Sequence, residues 1–433
     1  MNVADVKNDN IRLSGLAKKA GPVLAVVGIV FLGISVLLSS GAREATVDVD
    51  GGDVFWKSYL FAFISALGIC MGALFFVLLQ HLTRSGWSAS VRRLAEGLAK
   101  NLSWIWMLFV PILVLVLSGN GSMLYDWADA EYMASAHMPH TKATFLSPVF
   151  WSVRAIFFLL AWAVISSIYF RWSTKQDQDG SVNWTHKMQQ WAPVCMILFA
   201  FTQSYAIIDW VMTLQPKWFS TMFAVYFFAA TMTAFFSTII LLARFMQRTG
   251  HMQHCITTEH YHDLGKWLFG MGVVFWAYIG FSQYMLIWYA NIPVETGWYM
   301  ARQIGGWAGI SILLLVGHFI LPFLMLITRW TKRWRCTLPL IAGWLIIMFF
   351  VDMYWLVMPV VPETAIENAE SYNELANTIT ANEIGYGFNI VNITCLIGMV
   401  SLVLGGTLLN LRKCNLIATS DPRLDEALHF ENA

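Results

Sequence analysis

The sequence predicts an all-α polytopic membrane protein, and three observations support this prediction. Apolar residues make up 58% of the 433 residues. Charged residues make up only 12%, about half of the roughly 25% that is typical of soluble globular domains. Ten separate apolar runs reach the length of roughly 20 residues that a helix needs to cross a 30 Å hydrocarbon core. These features exclude a soluble enzyme and a disordered chain, and a net charge of +1 argues against nucleic-acid binding.

The ten predicted spans form one transmembrane domain over residues 20–410, between an amino-terminal tail (1–19) and a carboxy-terminal tail (411–433). The third span is short, and the amphipathic stretch Ser88–Leu102 before it predicts a helix that lies along the membrane surface. A polar loop of 30 residues separates the ninth span from the tenth. In chain order, the predicted spans are 20–41, 55–80, 103–118, 149–170, 190–214, 218–243, 267–290, 304–328, 337–358 and 389–410.

The distribution of basic residues predicts the orientation. When both termini are placed inside, 21 of the 27 Lys and Arg residues fall on the inner side, as the positive-inside rule requires. We therefore expect both termini to be cytoplasmic. The first apolar run follows Lys18 and Lys19 but is too long for a signal peptide and lacks a clean cleavage site, so we expect it to be a retained helix.

Cysteine and histidine patterns argue against a redox centre in this chain. The six cysteines form no C-x-x-C pair, so the motifs for c-type haem and for iron–sulfur clusters are absent. Only His318 lies well inside a span, whereas a haem held by two histidines needs a pair. We expect no haem, no Fe–S cluster and no covalent cofactor. The histidines of loop 251–262 lack zinc-site spacing, so we expect solvated residues and no metal. His137 and His140 in an outer loop are ambiguous candidates.

Three ionisable residues within the spans are the first candidates for a functional site, because charges are costly in a membrane. Arg154, Asp209 and Asp352 lie five or six residues from the outer ends of their spans, which places them at one level, about 7–9 Å deep. Gln283 and Tyr284 fall within a turn of that level. The pattern predicts a polar layer that serves as a ligand site or proton path open to the outer face. The alternative is an Arg–Asp pair that only locks helices together, or side chains that reach nearby water.

Further polar residues extend this layer towards the bilayer centre. Gln203 and Tyr205 lie deeper in the fifth span, and Tyr205 shares an i, i+4 stripe with Asp209, which predicts a hydrogen-bonded chain. His318 lies four residues before Pro322, which deprives the His318 carbonyl group of its helical partner. Water held at this carbonyl would make a proton relay. A histidine satisfied by a neighbouring helix is an equally open alternative.

Five sequence segments resemble a known membrane-protein family. The resemblance is to the ten-helix, quinone-binding-type subunit of alternative complex III, a bacterial quinol:cytochrome c (or quinol:oxidase) oxidoreductase, within the NrfD/polysulfide-reductase-like family. It implies a location in the bacterial inner membrane and runs over residues 20–410, without 359–388. Its most specific part is SQY…WYANIP (282–293), within the last two segments below. The segments are LSPVFWSVR (146–154), SYAIIDWVM (204–212), HDLGK (262–266), FWAYIGFSQY (275–284) and IWYANIP (287–293).

The resemblance implies both an architecture and partners. Spans 2–5 and 6–9 are expected to form two four-helix bundles, flanked by spans 1 and 10. Redox centres are expected in partner subunits that carry Fe–S clusters and c-type haem, beside a sister membrane subunit and possibly a terminal oxidase. This chain would supply a proton path, and a quinone pocket (menaquinone or ubiquinone) is less certain here than in the sister subunit. The residues that match the family's polar layer are Arg154, Gln203, Asp209, Gln283, Tyr284 and Asp352.

Two other functions are compatible with the sequence. A free-standing secondary transporter would show broken helices at the midplane and inverted repeats, and the sequence shows neither clearly. A purely structural membrane anchor would tolerate the loss of both intramembrane aspartates. The sequence therefore leaves open whether the chain is itself catalytic, and favours a subunit of a quinol-oxidising complex that holds no redox centre of its own.

Overall fold

The computed structural model describes residues 6, 9–41, 51–135, 138–359, 373, 374, 377 and 388–432. Over these ranges the regular secondary structure is helical, with no β-strand. Ten of the described helices are long and apolar enough to cross a membrane. The predicted fold class is confirmed, because the protein is an all-α, multi-pass membrane protein.

Most spans are longer than the apolar runs that predicted them, since a helix continues past the hydrocarbon until its backbone is capped. The fourth, for example, continues to Asp179 and ends at Gly180, whose φ of +67° gives a left-handed carboxy-terminal cap. Spans 1 to 10 are Gly15–Ser39, Val54–Leu82, Ala89–Leu117, Pro148–Asp179, Asn183–Leu214, Phe223–Arg248, Thr258–Ala290, Gly306–Leu326, Thr337–Val357 and Ile390–Leu411. Shorter helices lie at Ala130–Ser135, His140–Phe145, Pro293–Gln303, Arg329–Arg333 and Leu424–Leu428.

Spans 7 and 8 are composite helices. Each contains a π-helical stretch, at Leu268–Val274 in span 7 and at Leu315–Ile320 in span 8. The two stretches contact one another. A π-helical turn widens the helix and displaces side chains from their regular positions, and such turns occur frequently at functional sites.

The described helices pack as two sets of four. Spans 2–5 (the first set) form a ring in which span 5 returns to span 2, and spans 6–9 (the second set) form a similar ring. Spans 2 and 6 pack together and join the two sets. At this junction a Cβ atom on Gly72 would lie only 2.5 Å from the Cβ atom of Phe235. Glycine is therefore required for the close approach of the two central helices.

Span 1 packs along span 10 outside both sets, and span 10 in turn contacts span 2. Glycines make the approach of spans 1 and 10 close. A Cβ atom on Gly28 would lie 2.8 Å from the carbonyl oxygen of Gly398, and one on Gly405 would lie 2.9 Å from that of Gly21. Small residues at helix contacts are the usual means of association in membranes, where apolar burial gives little driving force.

The two tails meet on one side of the molecule, which we call the terminal face (residues 9–14, 249–257 and 415–432). The Asp9 carboxylate accepts hydrogen bonds from the backbone N–H groups of His254 and Cys255, each at 2.8 Å. The N–H group of Leu416 donates to the carbonyl oxygen of Ile11 at 2.7 Å. The opposite side, the loop face, carries residues 118–135, 138–147, 211–222 and 291–305. That the terminal face is cytoplasmic stays a prediction from the charge count.

The short helix that opens span 3 differs from the prediction of a membrane-surface helix, because all of its residues are buried. Arg92 and Arg93 both contact Glu96, at 3.6 and 3.3 Å. Arg92 also pairs with Asp421 of the carboxy-terminal tail, and Arg93 pairs with Asp177 of span 4 at 2.8 Å. The amphipathic pattern therefore reflects a buried cluster of ion pairs under the tail, since charged side chains that find partners can be enclosed.

The histidines of loop 251–262 also differ from the expectation that they are solvated. His251, His260 and His262 are buried. The His251 ring nitrogen Nε2 lies 3.1 Å from the Ser14 hydroxyl, and the His260 ring nitrogen Nδ1 lies 2.9 Å from the Thr257 hydroxyl, where it completes a helix cap. His251 also accepts a hydrogen bond from the Ser14 N–H group, and His260 accepts one from the Thr257 N–H group, so these two histidines have a structural role at the terminal face.

Candidate functional site

Arg154 and Asp209 form an ion pair between spans 4 and 5. The Arg154 Nε atom lies 2.7 Å from Asp209 Oδ2, and Nη2 lies 3.2 Å from Oδ1, so the contact is bidentate. The remaining nitrogen, Nη1, donates to the carbonyl oxygen of Phe145 at 2.9 Å. Asp209 is fully buried, whereas Arg154 is partly accessible. The geometry matches the predicted helix-locking pair, and it leaves neither charge uncompensated.

The surroundings of this pair are closely packed. Trp151 Nε1 and Thr213 Oγ1 donate to the carbonyl oxygen of Asp209, at 2.9 and 2.6 Å. Gln203, six residues before Asp209 in span 5, is buried, and its amide nitrogen Nε2 makes a long contact of 3.5 Å to the carbonyl oxygen of Ala224. The cavity beside Gln203 measures about 10 Å³, which is room for one water molecule at most. The first set therefore offers no space for an organic ligand at these residues.

Tyr205 is not part of this site. Its side chain is 49% exposed on the outer surface of span 5, while Asp209 is fully enclosed. An i, i+4 separation leaves about 40° between two side chains on a helix, because the helical repeat is 3.6 residues. Here this angle separates the buried side of span 5 from its membrane-facing side, so the predicted Tyr205–Asp209 chain is wrong.

Asp352 lies apart from the ion pair, in the second set. Its Oδ1 atom accepts a hydrogen bond from the Tyr226 hydroxyl at 2.5 Å, and its Oδ2 atom accepts one from Trp276 Nε1 at 2.9 Å. The Asp352 side chain is fully buried, and both of these partners are neutral donors. The prediction of one continuous layer joining Arg154, Asp209 and Asp352 is therefore corrected to two separate sites, one in each set.

His318 belongs to the Asp352 site through Trp276. The His318 and Trp276 rings stack, with centroids 3.9 Å apart and planes within 12°. His318 Nε2 lies 3.2 Å from the Thr233 hydroxyl, which donates to the carbonyl oxygen of Gly272 at 2.7 Å. The other ring nitrogen, Nδ1, is buried without a partner among the described residues. His318 and Gly272 lie in the two facing π-helical stretches, so the widened turns enclose the imidazole.

A large cavity lies beside the Asp352 site, between spans 7 and 8 and the short helix Pro293–Gln303. Its volume is about 680 Å³, and its lining is mostly aromatic. Gln283 lines this cavity, is buried, and has an amide nitrogen with no partner in the described part of the chain. Tyr226 and Trp276, the two donors to Asp352, also form part of its wall. The cavity thus combines an apolar volume with an amide group that is free to donate.

The cavity opens sideways into the membrane region. Tyr278 and Phe281 both line it, and each is 63% exposed on span 7. In a membrane-spanning helix such exposed aromatic side chains face lipid. A lipid-soluble ligand can therefore enter from the bilayer without crossing the loop face. Tyr284 lines the same cavity and accepts a hydrogen bond from Gln303 Nε2 at 3.2 Å.

Arg302 closes the loop-face end of the cavity. Its guanidinium donates to the carbonyl oxygens of Trp355 and Leu356, each at 3.1 Å, and of Trp298 at 2.9 Å. Trp355 and Leu356 lie in the last turn of span 9, where unpaired carbonyl groups and the helix dipole favour a cation. Burial lowers the pKa of Arg302 to about 9, so the guanidinium stays charged at neutral pH. Its charge is balanced by helix carbonyls rather than by a carboxylate.

Sequence reasoning missed three residues of this site: Tyr226, Trp276 and Arg302. Tyr226 and Trp276 carry no charge and lie among many aromatic residues, so no sequence signal separated them. Arg302 did carry a signal, since it is one of few basic residues predicted on the outer side. Of the two outer-loop candidates, His140 is exposed and begins a short helix away from the cavity, and His137 lies outside the described residues.

The site's chemistry fits a neutral, lipophilic ring compound better than a metal. Across the described ranges, no group of three or more His, Cys, Asp or Glu side chains is arranged to hold a metal ion. The flat aromatic walls suit an apolar ligand, and the Gln283 amide offers a hydrogen-bond donor to an oxygen atom of such a ligand. No known family matches the chain, and a search among curated proteins found no match.

Proposed function

We propose that this protein is an integral membrane subunit of a bacterial respiratory quinol:acceptor oxidoreductase of the alternative complex III type, located in the inner membrane. In this proposal the chain binds quinone in the cavity of spans 7 and 8 and provides a proton path near the loop face. One observation carries the proposal: an aromatic cavity of about 680 Å³ contains the Gln283 amide, which has no partner among the described residues, and its wall includes Tyr226 and Trp276, the two donors to the buried Asp352. The resemblance of segment 275–293 supports the same function.

The side chains around the cavity have distinct parts in this proposal. A quinol supplies two electrons and two protons when it is bound and oxidised. Gln283 would orient the ring by donating its amide hydrogen to a ring oxygen. Asp352 would accept and release a proton. Its partners Tyr226 and Trp276 are neutral, so no ion pair has to break when the carboxylate changes its charge. Arg302 would stabilise the end of span 9 that forms the wall of the cavity.

Electron transfer itself is assigned to partners. The chain offers no cysteine pair for c-type haem and no Fe–S ligand run, so electrons would leave through Fe–S and c-type haem subunits that dock on the loop face. A sister membrane subunit and a terminal oxidase complete the proposed set of partners. In the first set of spans, Arg154 and Asp209 neutralise each other, so this set would mainly support the structure.

Purification from native membranes tests the proposal. The expected product is a coloured complex whose optical spectrum shows c-type haem and whose quinol oxidation is measurable. Gln283→Leu should raise the KM for quinol, and Asp352→Asn should lower turnover and proton release while leaving the haem content unchanged. Gln176→Leu, at a buried glutamine of span 4 that does not line the cavity, is the matched control and should leave KM unchanged.

Two results would contradict the proposal. One is a colourless protein that purifies alone without quinol activity. The other is unchanged quinol turnover and unchanged proton output in both Asp209→Asn and Asp352→Asn complexes. Normal turnover with Gln283→Leu alone would reject the cavity as the quinone site but leave the subunit assignment standing.

A secondary transporter is the second candidate, because the facing π-helical stretches of spans 7 and 8 interrupt regular helix inside the membrane region. This function predicts that the purified chain, reconstituted alone into liposomes, exchanges a labelled substrate across the bilayer. The same preparation would show no c-type haem. Exchange by the isolated chain would replace the respiratory proposal, and its absence beside a haem-containing complex would support it.

A further inference from the structure

A second opening on span 7 continues from the cavity towards the terminal face. This groove has a volume of about 560 Å³ and is lined chiefly by apolar side chains. It shares Val274 and Tyr278 with the cavity, so the two spaces meet on the same helix. From there the groove passes Gly270 and ends at Lys266. The cavity and groove therefore form one continuous apolar path along the membrane-facing side of span 7.

Gly270 keeps the groove open. A Cβ atom built on Gly270 would meet no heavy atom within 4 Å, and the residue is exposed. Open space therefore lies above this position, and a larger side chain there would project into the groove. Gln283 in the cavity is 13 residues from Gly270, or about 20 Å along the helix at 1.5 Å per residue. This length exceeds the roughly 15 Å depth of one membrane leaflet.

We propose that the groove holds the isoprenoid side chain of the quinone whose ring occupies the cavity. This inference rests on the proposed function and deepens it, because it makes the groove a determinant of affinity for long-chain quinones. The polar ring would sit near Gln283, and the apolar chain would run past Tyr278 and Gly270 towards the terminal face. Apolar burial along the groove would then stabilise binding in proportion to the length of chain covered.

The charge at the groove's end favours this occupant over a phospholipid. An anionic headgroup would need a free cation at Lys266, but this ammonium group pairs with Asp263 and donates to Asn432 Oδ1 at 2.6 Å. At the other end, the amide of Gln283 has no partner within the described chain. The unsatisfied polar group thus lies in the cavity, where a ring oxygen would be, and not at the interface where a phosphate would be.

The experiment compares two ligands on two variants. The purified complex, in nanodiscs of phosphatidylcholine, is titrated with a quinone that carries one isoprene unit and with the same ring carrying eight units. Gly270→Leu places an apolar side chain in the groove, and its Cβ atom would meet no heavy atom within 4 Å. Gly309→Leu is the matched control, because Gly309 is also exposed with no heavy atom near its Cβ position, and it lines neither the cavity nor the groove.

The expected result is a difference that depends on chain length. Gly270→Leu should weaken binding of the long-chain quinone by about tenfold, the effect of losing burial of roughly two methylene groups. Binding of the short-chain quinone should change by less than about twofold, and Gly309→Leu should change neither. Equal effects on both quinones, or no effect on either, would overturn the inference. Binding of the short-chain quinone would in that case still support the cavity as the site of the ring.

Two further outcomes separate this inference from the function on which it rests. If neither quinone binds the wild-type complex, the proposed function fails and the inference fails with it. If native mass spectrometry finds a phospholipid that Gly270→Leu removes, while long-chain quinone binding is unchanged, the groove is a lipid site and only the inference is overturned.

Discussion

The Arg154–Asp209 pair gives the sharpest test of how the two sets of spans differ. Replacing Arg154 by Met leaves the Asp209 carboxylate fully buried without a cation. Loss of one partner of a buried pair costs about 3–5 kcal/mol of unfolding free energy. Replacing Asp209 by Leu should cost less, about 1–3 kcal/mol, because the partly accessible Arg154 can extend its charge towards water.

The double variant Arg154→Met/Asp209→Leu removes both charges and keeps the volume apolar. Such replacements of buried pairs are often nearly neutral, so the double variant should recover almost all of the two single losses, and the coupling energy of the double-mutant cycle should be about 4–8 kcal/mol. The assay is unfolding in mixed micelles titrated with a denaturing detergent. Arg171→Met, at an exposed arginine of the same span, is the control and should change stability by less than about 0.5 kcal/mol.

Two results would refute this reasoning. A coupling energy below about 0.5 kcal/mol would show that the pair does not act as a unit. A stable double variant that has nevertheless lost quinol turnover would show that the pair takes part in function, and not only in holding spans 4 and 5 together. The cycle therefore distinguishes the helix-locking role from the proton path that the sequence also allowed.

Two further predictions concern the terminal face and the central helix contact. Although burial raises the pKa of Asp421, Arg92 and nearby hydrogen bonds outweigh it and leave the pKa below its ordinary value of 3.8. The ionised carboxylate thus stabilises the docked tail above about pH 4, and this contribution is lost as pH falls through the lowered pKa. In the wild type, cleavage of the tail by pepsin should therefore increase below about pH 4. In Asp421→Asn, which lacks the carboxylate, the tail should already be cleaved at about pH 5. Gly72→Ala should destabilise the protein by about 1–3 kcal/mol through overpacking against Phe235, whereas Gly309→Ala should change stability by less than 1 kcal/mol, as measured by heat unfolding in detergent.

The sequence predicted the membrane spans well because the bilayer imposes a simple requirement. Each span needs about 20 apolar residues, and hydropathy alone detects them. The helix ends were less predictable, since they depend on local caps such as the left-handed Gly180. The glycines that bring spans 1 and 10 together, Gly28 and Gly405 among them, were not recognised because their role depends on which helix lies opposite.

The candidate site was predicted in part for a related reason. Depth along a span follows from residue number, so Asp209 and Arg154 could be placed at one level, and they do meet. Lateral neighbours do not follow from residue number. Asp352 was assigned to the same layer by depth, but its neighbours are Tyr226 and Trp276 of the second set. The prediction for Tyr205 was wrong because i, i+4 spacing does not show whether a rotation of about 40° around the helix moves a side chain from the buried side to the exposed side.

Asp209 and Asp352 differ in what a proton would do to their surroundings. Protonation of Asp209 would leave the Arg154 guanidinium without its counter-charge in a low-dielectric environment, which is costly. Protonation of Asp352 would leave no unpaired charge, because Tyr226 and Trp276 are neutral. Of these two, only Asp352 can therefore gain and lose a proton without breaking an ion pair, and its donors Tyr226 and Trp276 line a cavity large enough for a ligand. Proton chemistry in this protein is thus expected in the second set, with the first set as its rigid support.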